Sequence, residues 1–184
     1  MDSERVFVYR IDSQNRITFL NQDWLEFARD NQAPQLSPSA VLGHDLSEYI
    51  ADWETRHLYD IIYQRVRQSG KTIHLPFRCD SPEQRRFFQM SIAALPGGGL
   101  EFSVRVIRIE PRQRIALLDP STRHAWDRVV ICSWCKRIEV LANQWVDLET
   151  VIDREDLFSP TPPSLTHDVC PDCLASIQEG LEQQ

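Results

Sequence analysis

The sequence predicts an α+β fold: a five-stranded antiparallel sheet with flanking helices, followed by a small unit organised by four cysteines. Three observations carry this expectation. Strand patterns fall into two groups, a pair near the N-terminus and three between residues 72 and 109, with helical patterns between the groups. The last strand alternates cleanly, with Leu100, Phe102, Val104 and Val106 on one face and Glu101, Ser103 and Arg105 on the other, as a half-buried antiparallel strand does. Two C-x-x-C pairs, Cys132/Cys135 and Cys170/Cys173, contain four of the five cysteines and flank a segment of 34 residues.

Taken in order, Val6-Phe7-Val8-Tyr9-Arg10-Ile11 is β-branched and aromatic, and reads as a strand. Asp12-Ser13-Gln14-Asn15 turns the chain, because Asp and Asn bond their own backbone and tolerate left-handed φ. Ile17-Thr18-Phe19-Leu20 returns as a second strand, which makes the opening a β-hairpin. Asn21 can cap a helix over residues 22–29, whose Trp24, Phe27 and Ala28 recur at i, i+3 and i+4 as an inward stripe. Residues 33–39 form a proline-containing loop, and Val41-Leu42-Gly43-His44-Asp45-Leu46 turns tightly into a short helix. A longer helix fits residues 53–68, where Leu58, Ile61, Ile62 and Val66 share one face and Ser69-Gly70 ends it. Strands follow at 72–79, 86–95 and 100–109, the last two joined by the hairpin turn Pro96-Gly97-Gly98-Gly99.

Residues 111–127 lose periodicity and read as a connector, in which Ile115-Ala116-Leu117-Leu118 can dock on the sheet. Between the cysteine pairs, residues 128–140 suggest a strand or short hairpin and residues 145–152 a helix. Residues 157–165, with Pro160, Pro162 and Pro163, read as a surface loop. After Cys170 a final helix begins, since Pro171 suits the first turn and Asp172 the positive helix end. The expected organisation is a unit at 1–110, the connector at 111–127 and a cysteine unit at 128–184.

A two-residue gap lets two thiolates of one tight turn point at a single ion. Two such turns supply the four sulfurs of a closed tetrahedral zinc site. The competing readings are two disulfides, or buried thiols without a ligand. Disulfides suit secreted proteins, and residues 1–11 carry no signal-peptide pattern, so reduced thiols and a cytoplasmic setting are expected. Iron is a second option for four thiolates. Val-Cys-Pro-Asp-Cys resembles one knuckle of a rubredoxin or a zinc ribbon, yet Lys136 and Leu174 follow the second cysteines, where those families usually place Gly or another small residue. That departure disfavours a one-iron redox centre. With the second pair on the opening turn of a helix, the arrangement looks like a treble clef. Zinc held by Cys132, Cys135, Cys170 and Cys173 leaves no position for water and is therefore structural. His167, three residues before Cys170, can replace a thiolate; with four cysteines present it is read as a neighbour of the site or a surface residue. Trp134 and Trp145 are expected to pack around the metal-stapled core.

Tyr9-Arg10-Ile11-Asp12 and Arg16-Ile17-Thr18-Phe19-Leu20-Asn21 resemble the opening hairpin and helix cap of PAS domains. Val41-Leu42-Gly43-His44-Asp45-Leu46 resembles that family's glycine turn, with His44 where a basic residue is frequent. Two strands, a few helices and three further strands are its layout. The resemblance covers about residues 5–110 and implies regulation through ligand occupancy or dimer contacts. Haem-binding members carry an axial His on the long helix. His57 lies in the corresponding element, but about 40° beyond Ile61, at the margin of the apolar face. A surface place or a satisfied polar contact is its expected role, and haem is not expected. Flavin-binding light sensors use an asparagine-cysteine-arginine stretch that has no match here. A small apolar ligand in the interior of the PAS-like unit, or none, stays open.

Charge narrows the partners. The net charge is −7, with 13 basic against 15 acidic side chains in residues 1–110 and 7 against 12 in residues 111–184. Zinc modules that grip nucleic acid use Lys and Arg against phosphate, so DNA and RNA are disfavoured. No apolar run approaches the ~20 residues that cross a membrane. Neither a phosphate loop, a G-x-G-x-x-G, a G-x-S-x-G nor an H-E-x-x-H stretch occurs. Glu155/Asp156 reads as solvated surface and Cys79 as a buried inert thiol. The expected function is a non-enzymatic bacterial-type signalling protein that acts on a protein partner or a second copy. The alternative is a thiol switch that releases zinc on oxidation. Cations that favour such chemistry, Lys136 and Arg137, lie only beside the first pair, while Asp168 and Asp172 flank the second.

Overall fold

The computed structural model describes residues 5–31, 33–50, 52–119, 121–123, 125, 128–151 and 161–183. Strand β1 (Val6–Ile11) turns back into β2 (Ile17–Leu20) through Asn15 at φ 63°, a left-handed conformation that Asn accepts more readily than most residues. Asn21 then caps α1 (Gln22–Asp30): its side-chain oxygen accepts the Trp24 N–H at 3.0 Å and the Val8 N–H at 3.0 Å. One asparagine thus starts the helix and ties it to the sheet, where a cap is worth about 1 kcal/mol. Ala28 is the buried residue of α1, with Trp24 and Phe27 packed half-buried beside it. The short α2 (Pro38–Val41) and the turn at Gly43 lead to α3 (Trp53–Ser69), which is capped by Asp52 and ends at Gly70 in the left-handed region.

Strands β3 (Ile73–Arg78), β4 (Gln84–Ala94) and β5 (Leu100–Pro111) complete an antiparallel sheet of order β2-β1-β5-β4-β3. This is the layout that the resemblance to PAS domains implies. Its inner face carries Phe7, Ile11, Leu75, Phe88, Met90, Ile92, Leu100 and Phe102, packed against Leu58, Ile62, Tyr63 and Val66 of α3. At ~25 cal/mol per Å² of apolar surface removed from water, this interior is the main stabilising term of the N-terminal half.

A second, four-stranded sheet follows: β6 (Arg128–Cys132), β7 (Arg137–Leu141), β8 (Gln144–Asp147) and β9 (Ser164–Asp168), in the order β8-β7-β6-β9. Strand β9 lies parallel to β6, and the chain then enters helix α4 (Pro171–Gln183). Three sequence expectations are corrected here. Residues 145–151 are not a helix: Gln144–Asp147 is a strand and Leu148–Val151 a single 3-10 turn. Asn143 at φ 63° closes a tight β7–β8 hairpin, and its N–H donates to Glu139 Oε1 at 2.8 Å, so Trp145 and Val146 pair across to Glu139 and Ile138. Ile115 and Leu117 do dock, but against Ile131 and Ile138 of the second sheet and Leu148 and Val151 of the 3-10 turn that follows it. Pro162 and Pro163 are buried, and Leu165 belongs to β9. Residues 152–160, which include Glu155, Asp156 and the start of the expected proline loop, lie outside the described residues.

Candidate metal centre

Parallel pairing of β6 with β9 decides where the cysteines meet. In a parallel pair both strands end at the same side. Cys132 pairs with Asp168, and each strand runs directly into its C-x-x-C turn. The first turn is closed by Lys136 N–H donating to Cys132 O at 3.1 Å. The second is the opening turn of α4, with Leu174 N–H donating to Cys170 O at 3.0 Å. The Sγ atoms of Cys132, Cys135, Cys170 and Cys173 all lie within 4.8 Å of one another, and Cys135 and Cys170 are 3.7 Å apart. Metal–sulfur bonds of about 2.3 Å in a tetrahedron place sulfurs roughly 3.8 Å apart. The cluster is therefore compact enough for four thiolates to close on one ion, and three of its four members are buried.

Ionisation gives the same answer. S–H donation from Cys135 and Cys173 holds Cys132 well below the ordinary thiol value, with the N–H groups of Cys170 and Cys135 also aimed at its sulfur at 3.4 and 3.5 Å. Donating to Cys132 pushes Cys135 up to about 12, and Cys173 is raised too. A cation in the midst of these sulfurs favours the thiolate form, and the residues fit a metal ion that the four could bind.

Lys136 stands where a small residue was expected, and its backbone shows the consequence: φ is 65°, in the left-handed region. Such a conformation costs a non-glycine residue of order 1 kcal/mol. Lys136 Nζ offsets part of this by donating to Ser133 O across the turn at 2.8 Å. His167 lies outside the sulfur cluster, half-buried on β9. Burial lowers its pKa, the Lys136 charge lowers it further, and the Asp52 carboxylate opposes both. His57 is exposed, with its ring stacked on exposed Trp53 at 5.3 Å. Cys79 is half-buried and separate from the four, its sulfur 4.0 Å from Arg86 Nη2.

The centre is built into the edge of the first sheet. Trp134, 6% exposed, sits against Phe77 and Tyr59 with both ring pairs 6.0 Å apart. Cys132, Cys170, Cys173, Ile177 and Leu181 belong to the same apolar cluster as the interior of that sheet. Cys173, Ile177 and Leu181 recur every fourth residue, so one face of α4 supplies a sulfur and two anchors. Trp145, expected beside the metal core, packs half-buried at its border.

An ion network, which sequence reasoning missed, joins the first sheet to the 3-10 turn that follows β8. Asp80 accepts from Arg78 at 2.5 Å and from Arg112 at 3.0 Å, while Glu149 accepts from Arg85 at 2.5 Å and Arg112 at 2.9 Å. Its members lie up to 71 residues apart, from Arg78 to Glu149, and no local pattern marks them. An open groove of about 860 Å³ lies between the first sheet and α4, lined among others by Pro76, Phe87, Ile107, Trp134, Cys135 and Cys173.

No protein-family model matches the sequence, and no curated protein matches it. Among solved structures, the C-terminal domain of a Streptococcus mutans protein aligns with a TM-score of 0.41 at 11% identity, covering 58% of this chain and 79% of that one. A sensory box sensor histidine kinase from Vibrio cholerae aligns with a TM-score of 0.39 at 8% identity, covering 59% and 86%. Both likenesses are distant.

Proposed function

We propose that the chain is a non-enzymatic, cytoplasmic signalling protein of bacterial type: a PAS-like sensor or interaction module at residues 1–110, a connector at 111–127, and a zinc-binding unit at 128–184. Zinc is held by Cys132, Cys135, Cys170 and Cys173 as a structural ion. The observation that supports this reading is the sulfur cluster itself, whose four donors lie within 4.8 Å of one another and in the same apolar cluster as the interior of the five-stranded sheet. Four sulfurs fill a tetrahedral shell, which suits a fold-stabilising ion rather than one that activates water.

The output passes to a protein partner or to a second copy through the PAS-like part. Nucleic acid is not the partner in this reading, because the chain carries a net charge of −7. No described helix is long and apolar enough to cross a membrane. The groove beside α4 is within the size range of small-molecule sites and is the seat we assign to a ligand. Native mass spectrometry with an absorption spectrum tests the whole reading. One zinc per chain, no visible cofactor band and a concentration-dependent dimer support it; a metal-free monomer refutes it.

A second reading has one observation in its favour. Cys135 and Cys173 line the open groove, so an oxidant that enters meets sulfur. Two zinc-bound thiolates, one hydrogen peroxide and two protons from water would give a disulfide and two waters, with the zinc ion released. Stoichiometric zinc release on peroxide treatment, reversed by a dithiol and zinc, would establish this switch.

A further inference from the structure

The two residues between the first pair of ligands do something that a metal turn does not require. Ser133 Oγ donates to Asp52 Oδ2 at 3.0 Å, and Asp52 is the residue whose other oxygen caps α3 by accepting the Thr55 N–H at 2.7 Å. Trp134 uses two of its polar groups on the edge strand of the first sheet. Its indole N–H donates to Pro76 O at 2.6 Å, and its own carbonyl accepts the Arg78 N–H at 2.8 Å. Strand β3 is the last in the order β2-β1-β5-β4-β3, so these outward-facing groups would otherwise be unpaired sheet edge. One turn of chain, fixed at both ends by sulfurs of the cluster, therefore holds the start of the long helix and the border of the sheet.

We propose that metal occupancy and the geometry of the PAS-like unit are coupled through Ser133 and Trp134, so that this turn is an allosteric link between the metal centre and the sensor-type sheet. The proposal rests on the metal reading above. The mechanism needs no moving lid. With metal bound, Cys132 and Cys135 fix the turn, which presents a hydroxyl to the α3 cap and a tryptophan to β3. Without metal, the staple that fixes both ends of the turn is lost, and both contacts loosen together. Coupling of this kind is reciprocal. A ligand or partner that shifts β3 or the first turn of α3 must change metal affinity by the same factor, and the ion reports the state of the sheet as much as it supports it.

The test uses the full chain. Hydrogen exchange is measured at the Arg78 and Thr55 amides with zinc bound and after stripping by a chelator, with the β1–β2 hairpin as internal control. Zinc affinity is measured by chelator competition for the wild type, Trp134→Phe and Ser133→Ala. The expected result is at least tenfold faster exchange at Arg78 and Thr55 on stripping, with the hairpin changed less. Each variant should bind zinc about three- to tenfold more weakly, the effect of losing one buried hydrogen bond. Ser133→Ala removes only a hydroxyl, so it reads the link even if Trp134→Phe folds poorly. Zinc bound at full stoichiometry with exchange unchanged on stripping, or both variants within twofold of the wild type, overturns the coupling and leaves the metal reading standing. A wild type that binds no zinc overturns both.

Discussion

Replacing Asp80 by Asn keeps the shape of the side chain and removes its charge. Asp80 is 1% exposed and lies between Arg78 and Arg112, which are 11% and 5% exposed. It also accepts the Arg86 backbone N–H at 3.2 Å. In the variant one carboxylate oxygen becomes an NH₂ group facing guanidinium donors, and Glu149 is left as the main counter-charge for Arg78, Arg85 and Arg112. Breaking one partner out of a buried ion pair costs about 3–5 kcal/mol. Since Glu149 still compensates part of the charge, the expected loss is at the lower end, about 3 kcal/mol. For a chain of this length each kcal/mol moves the midpoint by roughly 2–4 °C, so the melting temperature should fall by about 6–12 °C. Circular dichroism melts in excess zinc, with metal content measured on both proteins, read this directly. A loss below about 1 kcal/mol at unchanged zinc content would refute the reasoning, because it is the size of an exposed surface pair.

Cys173→Ser should abolish zinc binding and lower the midpoint of a single unfolding transition, since the ligands share one apolar cluster with the sheet; two separated transitions would show that the centre folds apart from it. Glu149 sets a pH dependence. Burial pushes its pKa up, but its own backbone N–H and Arg112, Arg78 and Arg85 hold it below the ordinary value. A carboxyl depressed in the folded state contributes stability above its unfolded pKa and loses it as pH falls through the folded one. Urea midpoints followed from pH 7 downward should drop less steeply in Glu149→Gln than in the wild type. His57→Ala, at an exposed site, should change stability by no more than about 0.5 kcal/mol, and the purified protein should show no Soret band; a band lost in this variant would reverse the assignment. Duplex DNA should not bind even at low ionic strength, where phosphate contacts are strongest; gel-shift binding that weakens with salt would count against the argument from the chain's net charge of −7.

Local chemistry made much of the fold legible. The β1–β2 hairpin, the Asn21 cap, the apolar face of α3 with its Gly70 stop and the alternating β5 each depend on residues within one turn or one strand, and the structure shows each of them. The same holds for the two C-x-x-C turns and the helix start after Cys170. The β7–β8 hairpin was not legible, because Ala142-Asn143 is a weak turn signal and Trp145-Val146-Asp147-Leu148 suits a helix as well as a strand. Its identity as a strand comes from pairing with β7.

By itself the sequence determined the periodicities, the caps, the four thiols and the acidic balance, all of which are carried by neighbours along the chain. Tertiary structure alone decided three things. The parallel register of β6 with β9 brings both cysteine turns to one end of the second sheet. The Asp80–Arg112–Glu149 network joins the first sheet to the 3-10 turn that follows β8. The insertion of Trp134 at the edge of β3 merges the four-cysteine cluster with the core of the first sheet. The physical reason is common to all three: the energy lies between groups dozens of residues apart, where no local propensity bears on which strand pairs with which or which arginine meets which carboxylate.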